Sequence, residues 1–531
     1  PKHAHAFMSL LKKPAPAAAS EVPPPPAHAR LILALIVFLA GAAVMIIEIC
    51  ANRLLAPVYG NSVFTWTSLI GVILICFSAG GYLGGYLADK RADFAVLGWL
   101  LATAAVLTMF VPAIFALVGM APAFKDAGVI AGPVMISTML FALPGVLLGA
   151  VSPASLRLYS LLGKDAHVGF AAGTISMLGS LGSFVGTFLA GFYLVSHFSR
   201  TSIFVCTGGL LFLLAVAAFY LARHKARAQV PVWVGGLIAL TIGATSQETQ
   251  GGGVIYQHDS LYHRIRVTEQ QAGTPNAQRY LELDSTTEGG MQVSDGDVVL
   301  QYQQFWRLPT MKSGFKVDHA LFIGAGAFGM PEQVSKQYPE SSVDVAEIDP
   351  AVIETGRKYF KLDEFPRVDA HASDARRFLA ASGAQKWDFV FGDAYNGMRQ
   401  IPLHLASKEF FQLVHEHLTP QGIFLMNVIS SVEGPRSELL AGMVKTLQEV
   451  FAHVEIFAVA RRLDVAQNVM ILASNDNWGP VFTDNSYVSG SWEGGIAASF
   501  VPVSQRPTEG VVFTDDLNPV DAIIARGLLR D

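Results

Sequence analysis

Leu321-Phe322-Ile323-Gly324-Ala325-Gly326-Ala327-Phe328-Gly329 runs from an apolar strand into a glycine turn, and Val345-Ala346-Glu347-Ile348-Asp349 follows as a second strand ending in acids. Together they read as a βαβ unit of the kind that holds the ribose of an adenosine-containing cofactor. Gly324, Gly326 and Gly329 let the backbone turn tightly and approach a ligand without a Cβ in the way. Glu347, at the strand end, has two oxygens that can accept both ribose hydroxyls. A lone G-x-G-x-x-G is weak evidence, so its surroundings have to support it.

Downstream they do. Strand signals at 320–323, 342–348, 369–372, 387–391, 422–428, 454–458 and 469–473 alternate with helical patterns. This argues a mainly parallel sheet covered on both faces, with ligands bound beyond the carboxyl ends of its strands. Just upstream, 254–267 and 279–284 alternate apolar and polar residues as half-buried strands do. The reading is a small amino-terminal β subdomain over 251–310 and a Rossmann-like α/β domain over 311–531.

The amino-terminal half is different. The chain is 52% hydrophobic and only 15% charged, against about 25% charge in ordinary soluble domains. The shortage of charge is concentrated between 31 and 221. About twenty apolar residues cross a bilayer, and stretches at 31–49, 65–87, 95–120, 129–151, 168–195 and 201–221 qualify. A seventh, 232–245, is short and holds Gly235-Gly236, so it is expected to be re-entrant or interfacial within a multi-pass α-helical domain of six to seven helices spanning 31–250, the alternative being a true seventh span that would leave the second half outside the cytoplasm. Residues 1–30, with Pro23-Pro24-Pro25-Pro26, read as a disordered tail. Runs such as Gly80-Gly81-Tyr82-Leu83-Gly84-Gly85 read as close helix packing.

Lys12, Lys13, Arg30, Lys90, Arg91, Arg157, Lys164, Arg223, Lys225 and Arg227 fall on one side of this topology. The positive-inside rule makes that side cytoplasmic. The expectation is an integral protein of a bacterial inner membrane, with the lipid bilayer as partner and the soluble half in the cytoplasm. Glu48, near the end of the first span, is costly at membrane depth, and Arg53 is its expected partner or else the acid is functional.

Net charge is −5 and no basic stripe interleaves with aromatics, so nucleic acid is not an expected partner. Cys50, Cys76 and Cys206 lie in apolar segments, and the histidines lack metal-ligand spacing, so no metal is expected.

From about Ile255 to the carboxy terminus the chain resembles the spermidine synthase (polyamine aminopropyltransferase) family, in its membrane-fused branch. The resemblance rests on Asp259-Ser260-Leu261-Tyr262-His263-Arg264-Ile265-Arg266-Val267, the glycine loop, Ala346-Glu347-Ile348-Asp349, Ser373-Asp374-Ala375-Arg376, Phe391-Gly392-Asp393-Ala394 and Phe513-Thr514-Asp515-Asp516-Leu517-Asn518-Pro519, in family order. It implies polyamine biosynthesis with S-adenosylmethionine or its decarboxylated form as co-substrate and methylthioadenosine as product. It implies Glu347 on the ribose, Asp374 on the adenine amino group and Asp393 as the catalytic acid beside the sulfonium. Asp374 also reads as a cap for the following helix, and the two roles are compatible. Tyr262 and His263 match a Tyr-Gln pair lying over the substrate, with histidine adding a titratable group.

Three departures bear on the second substrate. Ala327 replaces a ligand-contacting acid, Asn396 replaces an acid that grips the amine, and Gln301-Tyr302-Gln303-Gln304-Phe305-Trp306 replaces an acidic stretch. A buried ammonium without a counter-ion is disfavoured, which argues against putrescine and leaves room for a ligand that keeps its carboxylate. The readings are therefore an aminopropyltransferase-like enzyme acting on a small molecule, an amine in the first instance; an S-adenosylmethionine-dependent lyase, aminocarboxypropyltransferase or methyltransferase; and a nucleoside-sensing transporter. Homo-oligomerisation is left open.

Overall fold

The computed structural model describes residues 28–60, 63–119, 121–125, 127–162, 168–222, 253–284, 286–395, 400–483, 487–488, 490–507 and 509–528. Residues 1–27 of the expected tail 1–30, the short apolar stretch at 232–245 and Asn396 lie outside the described residues, while Ala29 and Arg30 already belong to the first helix.

Among the described residues, six helices are long and apolar enough to cross a membrane. They comprise α1 (Ala29–Tyr59), α2 (Val63–Lys90), α3 (Phe94–Val118), the span made by α4 (Gly128–Gly149) and α5 (Val151–Leu161), α6 (Val168–Leu189) and α7 (Arg200–Ala222). Glycines set the pairing. A Cβ on Gly182 or Gly186 of α6 would overlap the carbonyls of Phe38 and Ala42 on α1, and one on Gly80 or Gly84 of α2 those of Val146 and Ala150. Backbone-to-backbone approach is therefore available only to glycine there, and bulk at any of the four would force the helices apart.

α1 corrects two expectations. It does not end near Ile49 but continues through Arg53 and Pro57 to Tyr59, since neither Asn52 nor Arg53 breaks a helix. Arg53 does not pair with Glu48: its guanidinium donates to the carbonyls of Val195 and Ser260, because helix-end and turn carbonyls lie within reach and lack ladder partners.

The second half contains a four-stranded antiparallel sheet in the order β1 (Val254–Asp259), β2 (Arg264–Gln270), β3 (Gln278–Leu283), β4 (Thr286–Gln292). A seven-stranded sheet follows, in the order β10, β11, β9, β8, β5, β6, β7. Its parallel core is β5 (His319–Ile323), β6 (Ser342–Glu347), β7 (Val368–Ala372), β8 (Trp387–Gly392) and β9 (Leu418–Ser430). β10 (His453–Ala458) and β11 (Gln467–Ser474) complete it as antiparallel strands.

Alternation along β5 builds both cores: Phe322 joins a cluster with Val345, Phe389 and Phe391, while Leu321 and Ile323 join one with Val390, Phe424 and Met426 on the other face. All these side chains are buried, and each full burial contributes about 1.5–3 kcal/mol. The result fixes the carboxyl ends of β5, β6 and β8 side by side. β4 is pressed against the glycine loop, where a Cβ on Gly289 would stand 2.7 Å from the Ala327 nitrogen.

Candidate functional site

The turn after β5 requires two of its glycines, each on two counts. Gly324 has φ +88°, and a Cβ there would lie 2.5 Å from the Asp393 carbonyl oxygen; Gly326 has φ +48°, and a Cβ would lie 2.8 Å from the Glu288 carbonyl. Left-handed backbone and close approach both favour glycine. Gly329 instead begins helix α8 (Gly329–Gln337) and packs against Val298, away from the cavity.

That cavity, of about 350 Å³, is lined by Tyr262, His263, Gly324, Gly326, Glu347, Asp374 and Asp393 together with Ile348, Ser373 and His404. The sequence-predicted site residues thus converge, Gly329 excepted. Glu347 is buried and already engaged: Oε2 accepts from the Ala325 N–H at 3.0 Å and Oε1 from the Asp349 N–H at 2.8 Å. A carboxylate has about four acceptor positions, so the hydroxyls of a ribose would share oxygens that also hold the glycine loop. Burial raises its pKa against those two N–H bonds.

Asp374 caps the following helix and contacts a histidine. Its Oδ1 accepts from the Arg377 N–H at 3.0 Å, capping α9 (Ala375–Ala381), while Oδ2 lies 2.6 Å from His404 Nε2. His263 is buried with Nδ1 3.0 Å from Asp284 Oδ2. Burial alone would lower its pKa, but the hydrogen bond and charge of Asp284, with Glu347 and Asp349 beyond, raise it. Tyr262 is partly exposed at the mouth.

Asp393 leaves the end of β8 and faces two cavities. Its Oδ1 accepts from Asn427 Nδ2 at 2.8 Å, and Asn427 Oδ1 in turn accepts from Asn468 Nδ2 at 3.1 Å. The Tyr302 hydroxyl donates to the Glu288 carbonyl at 3.1 Å and also lies against the Asp393 carboxylate. Burial pushes Asp393 up to about 6, with Asn427 and Tyr302 opposing.

The second cavity, about 440 Å³, shares Glu288, Asp393 and Tyr395 with the first. Among the described residues its remaining wall is uncharged, with Thr287, Gln301, Gln467, Asn468 and Val459 in it. Burial pushes Glu288 up to about 7, with Thr286 opposing and Asp393 adding to the rise.

Glu288, Tyr302, Asn427 and His404 were not identified from the sequence. Glu288 changes the account of lost acids. The glycine loop has no acid at Ala327, a buried position, but the neighbouring strand supplies a carboxylate beside it. The signal available was an acid directly before a glycine pair, Glu288-Gly289-Gly290, at which a strand can approach a loop. One further polar group was also unanticipated. Ligand atoms of Asp344, Asp369 and His371 lie within 4.8 Å of one another. They belong to β6 and β7, outside the two cavities, and Asp344 is occupied by His371 at 3.0 Å and by Trp387 Nε1 at 2.9 Å.

Residues 307–477 match the family model of the spermine/spermidine synthase domain. A polyamine aminopropyltransferase of Vibrio vulnificus is 35% identical over 188 residues, covering 34% of this chain and 60% of that protein. A spermine synthase of Arabidopsis thaliana is 27% identical, covering 39% and 60% respectively. The human eEF1A lysine and N-terminal methyltransferase is 29% identical over 23% of this chain and 19% of its own. The chain thus spans three fifths or less of these curated relatives. Among solved structures, a probable spermidine synthase from Corynebacterium glutamicum aligns at TM-score 0.38 and 19% identity, over 46% of this chain and 85% of that one. The α/β half carries a spermidine synthase-like domain.

Proposed function

We propose that this chain is a membrane-embedded alkyl transferase that moves the aminopropyl group of decarboxylated S-adenosylmethionine to an amine and releases methylthioadenosine. The carrying observation is that two cavities meet at one pair of acids, Glu288 and Asp393. The adenosyl part sits in the first, its ribose on Glu347 and its adenine beside Asp374. The acceptor enters the second with its nitrogen between the two acids.

The nitrogen lone pair attacks the carbon next to sulfur, and the carbon–sulfur bond breaks with its electrons going to sulfur. The cationic sulfonium becomes the neutral thioether of methylthioadenosine. The proton displaced from nitrogen passes to Asp393, whose pKa near 6 suits a base at neutral pH. Asn427 and Tyr302 hold that carboxylate in place.

Glu288 supports an amine over a ligand that keeps its own carboxylate, since it restores negative charge that Ala327 and Asn396 omit. The uncharged far wall, among the described residues, favours an acceptor with one ammonium over a diamine. The six apolar helices, with outward-facing Leu74, Ile75, Phe170 and Phe184, support insertion in a bilayer, and the basic loops support a cytoplasmic catalytic half.

The test is to incubate purified full-length protein with decarboxylated or intact S-adenosylmethionine, each with and without mono- and diamines, and to identify products by mass spectrometry. An aminopropylated amine with stoichiometric methylthioadenosine is expected. A homoserine lactone formed from intact S-adenosylmethionine without any amine would establish the lyase instead.

A further inference from the structure

The Arg53 guanidinium spans the two halves of the molecule. It leaves α1 within the apolar bundle, six residues before the helix ends at Tyr59. It donates to the carbonyl of Val195, where the chain leaves α6 through a π-turn (Ala190–Leu194), and to the carbonyl of Ser260 in the turn between β1 and β2. A planar fork of donors can hold two carbonyls in fixed relation, which a lysine's single ammonium does less rigidly.

Ser260 is buried and serves as a hub. Its Oγ accepts from the N–H of Tyr262 at 3.1 Å and of His263 at 3.0 Å, and it donates to Asp349 Oδ2. Asp349 gives its own N–H to Glu347 Oε1 at 2.8 Å, and Glu347 Oε2 holds the Ala325 N–H of the glycine loop at 3.0 Å. An unbroken series of hydrogen bonds therefore runs from the ends of α1 and α6 to three parts of the first cavity's wall. Beside it, Asp259 is bound by Arg264 at 2.8 Å. Burial would raise that acid, but the hydrogen bond and charge of Arg264, with Arg200 and Arg53 behind, hold it below its ordinary value. A second touch point lies where α1 ends: Gly60, with φ +76°, faces the Gln400 side chain, two residues before Pro402 on the cavity wall.

We infer that Arg53 is a positioning residue for the adenosyl cavity, and that the helical bundle, through Arg53 and Ser260, sets the shape of the nucleoside site. The bundle is then part of the binding apparatus as well as an anchor, and whatever displaces α1 against α6 alters nucleoside affinity. This rests on the first cavity binding an adenosyl group.

The experiment measures methylthioadenosine affinity by calorimetry on the full-length protein, alongside thermal melts, for wild type, Arg53→Gln, Arg53→Lys, Ser260→Ala and the Gln/Ala double variant. Arg53→Gln is expected to weaken binding at least tenfold without changing the acceptor KM, Arg53→Lys to recover most of the loss, and the double variant to bind no worse than the weaker single one. Wild-type affinity in Arg53→Gln, or losses that add in full, would overturn the inference. Should Arg53→Gln fail to fold, Arg53→Met, which also lacks the two donors, is read in its place. A wild type that does not bind methylthioadenosine removes the underlying reading, whereas an indifferent Arg53 removes this inference alone.

Discussion

The two cavities that meet at Asp393 are built in opposite ways. The first is made chiefly from successive turns at the carboxyl ends of β5, β6, β7 and β8, each a short contiguous motif, with Tyr262 and His263 of the β1–β2 turn and Glu288 of β4 closing it. The second draws Thr287 and Glu288 from β4, Tyr302 from a 3-10 helix (Gln301–Met311), Asn427 from β9 and Asn468 from β11. A nucleoside site can be local because a βα turn supplies glycine, acid and helix start together. An acceptor site assembled across two sheets leaves no pattern in any one stretch.

If the comparison is right, the acids of the two cavities fail in different ways when changed. The largest effect belongs to Asp393, one of the two acids they share. Asp393→Asn keeps the shape and the Asn427 neighbour, so methylthioadenosine affinity should be mostly retained while turnover falls by about 10²–10⁴, the range for a positioned base. Steady-state rates beside calorimetry check this, and parallel loss of both would merge the two cavities into one function.

Glu347→Ala should come next, and only in the first cavity. It removes charge-assisted hydrogen bonds of about 1.5–3 kcal/mol each and frees the Ala325 and Asp349 N–H groups it now holds. Methylthioadenosine binding should weaken at least about tenfold, with acceptor KM little altered. Equal affinity of wild type and variant would remove Glu347 from the site.

Glu288→Gln, at the junction of the two cavities, should act chiefly on the acceptor. With a pKa near 7, Glu288 is neutral below that pH and anionic above it. Attraction for a cationic amine therefore appears as pH rises through about 7, and acceptor KM should fall across that window. In Glu288→Gln the fall should vanish, leaving only a rise in turnover through about 6 as Asp393 ionises. An unchanged profile would mean that Glu288 does not face the amine.

The smallest effect is expected at Asp374. Alanine there loses the cap on α9, worth about 1 kcal/mol of stability, and the contact to His404. A modest drop in melting temperature with a few-fold loss of nucleoside affinity is the expected pair of results.

What was readable in the sequence follows the same division. The strand segments, the glycine turn and the places of Glu347, Asp374 and Asp393 at strand ends were legible because each depends on neighbours a few residues away. The end of α1 was not, since Arg53 looks like a helix-ending charge until its partners, Val195 and Ser260, are brought from far along the chain. Glu288 was missed for the same reason: an acid between threonine and glycine reads as a turn until β4 is laid against the glycine loop. Gly329 was over-read, because its close neighbour proves to be Val298.

The central claim, two ligands meeting at one pair of acids, is tested most directly by calorimetric titration of n-butylamine into full-length protein saturated with methylthioadenosine, at a pH above 7, for wild type and Glu288→Gln. The account predicts that the amine binds the saturated wild type and binds Glu288→Gln about tenfold more weakly, while both proteins hold methylthioadenosine equally. Displacement of methylthioadenosine by the amine, or equal amine affinity in the two proteins, would contradict it.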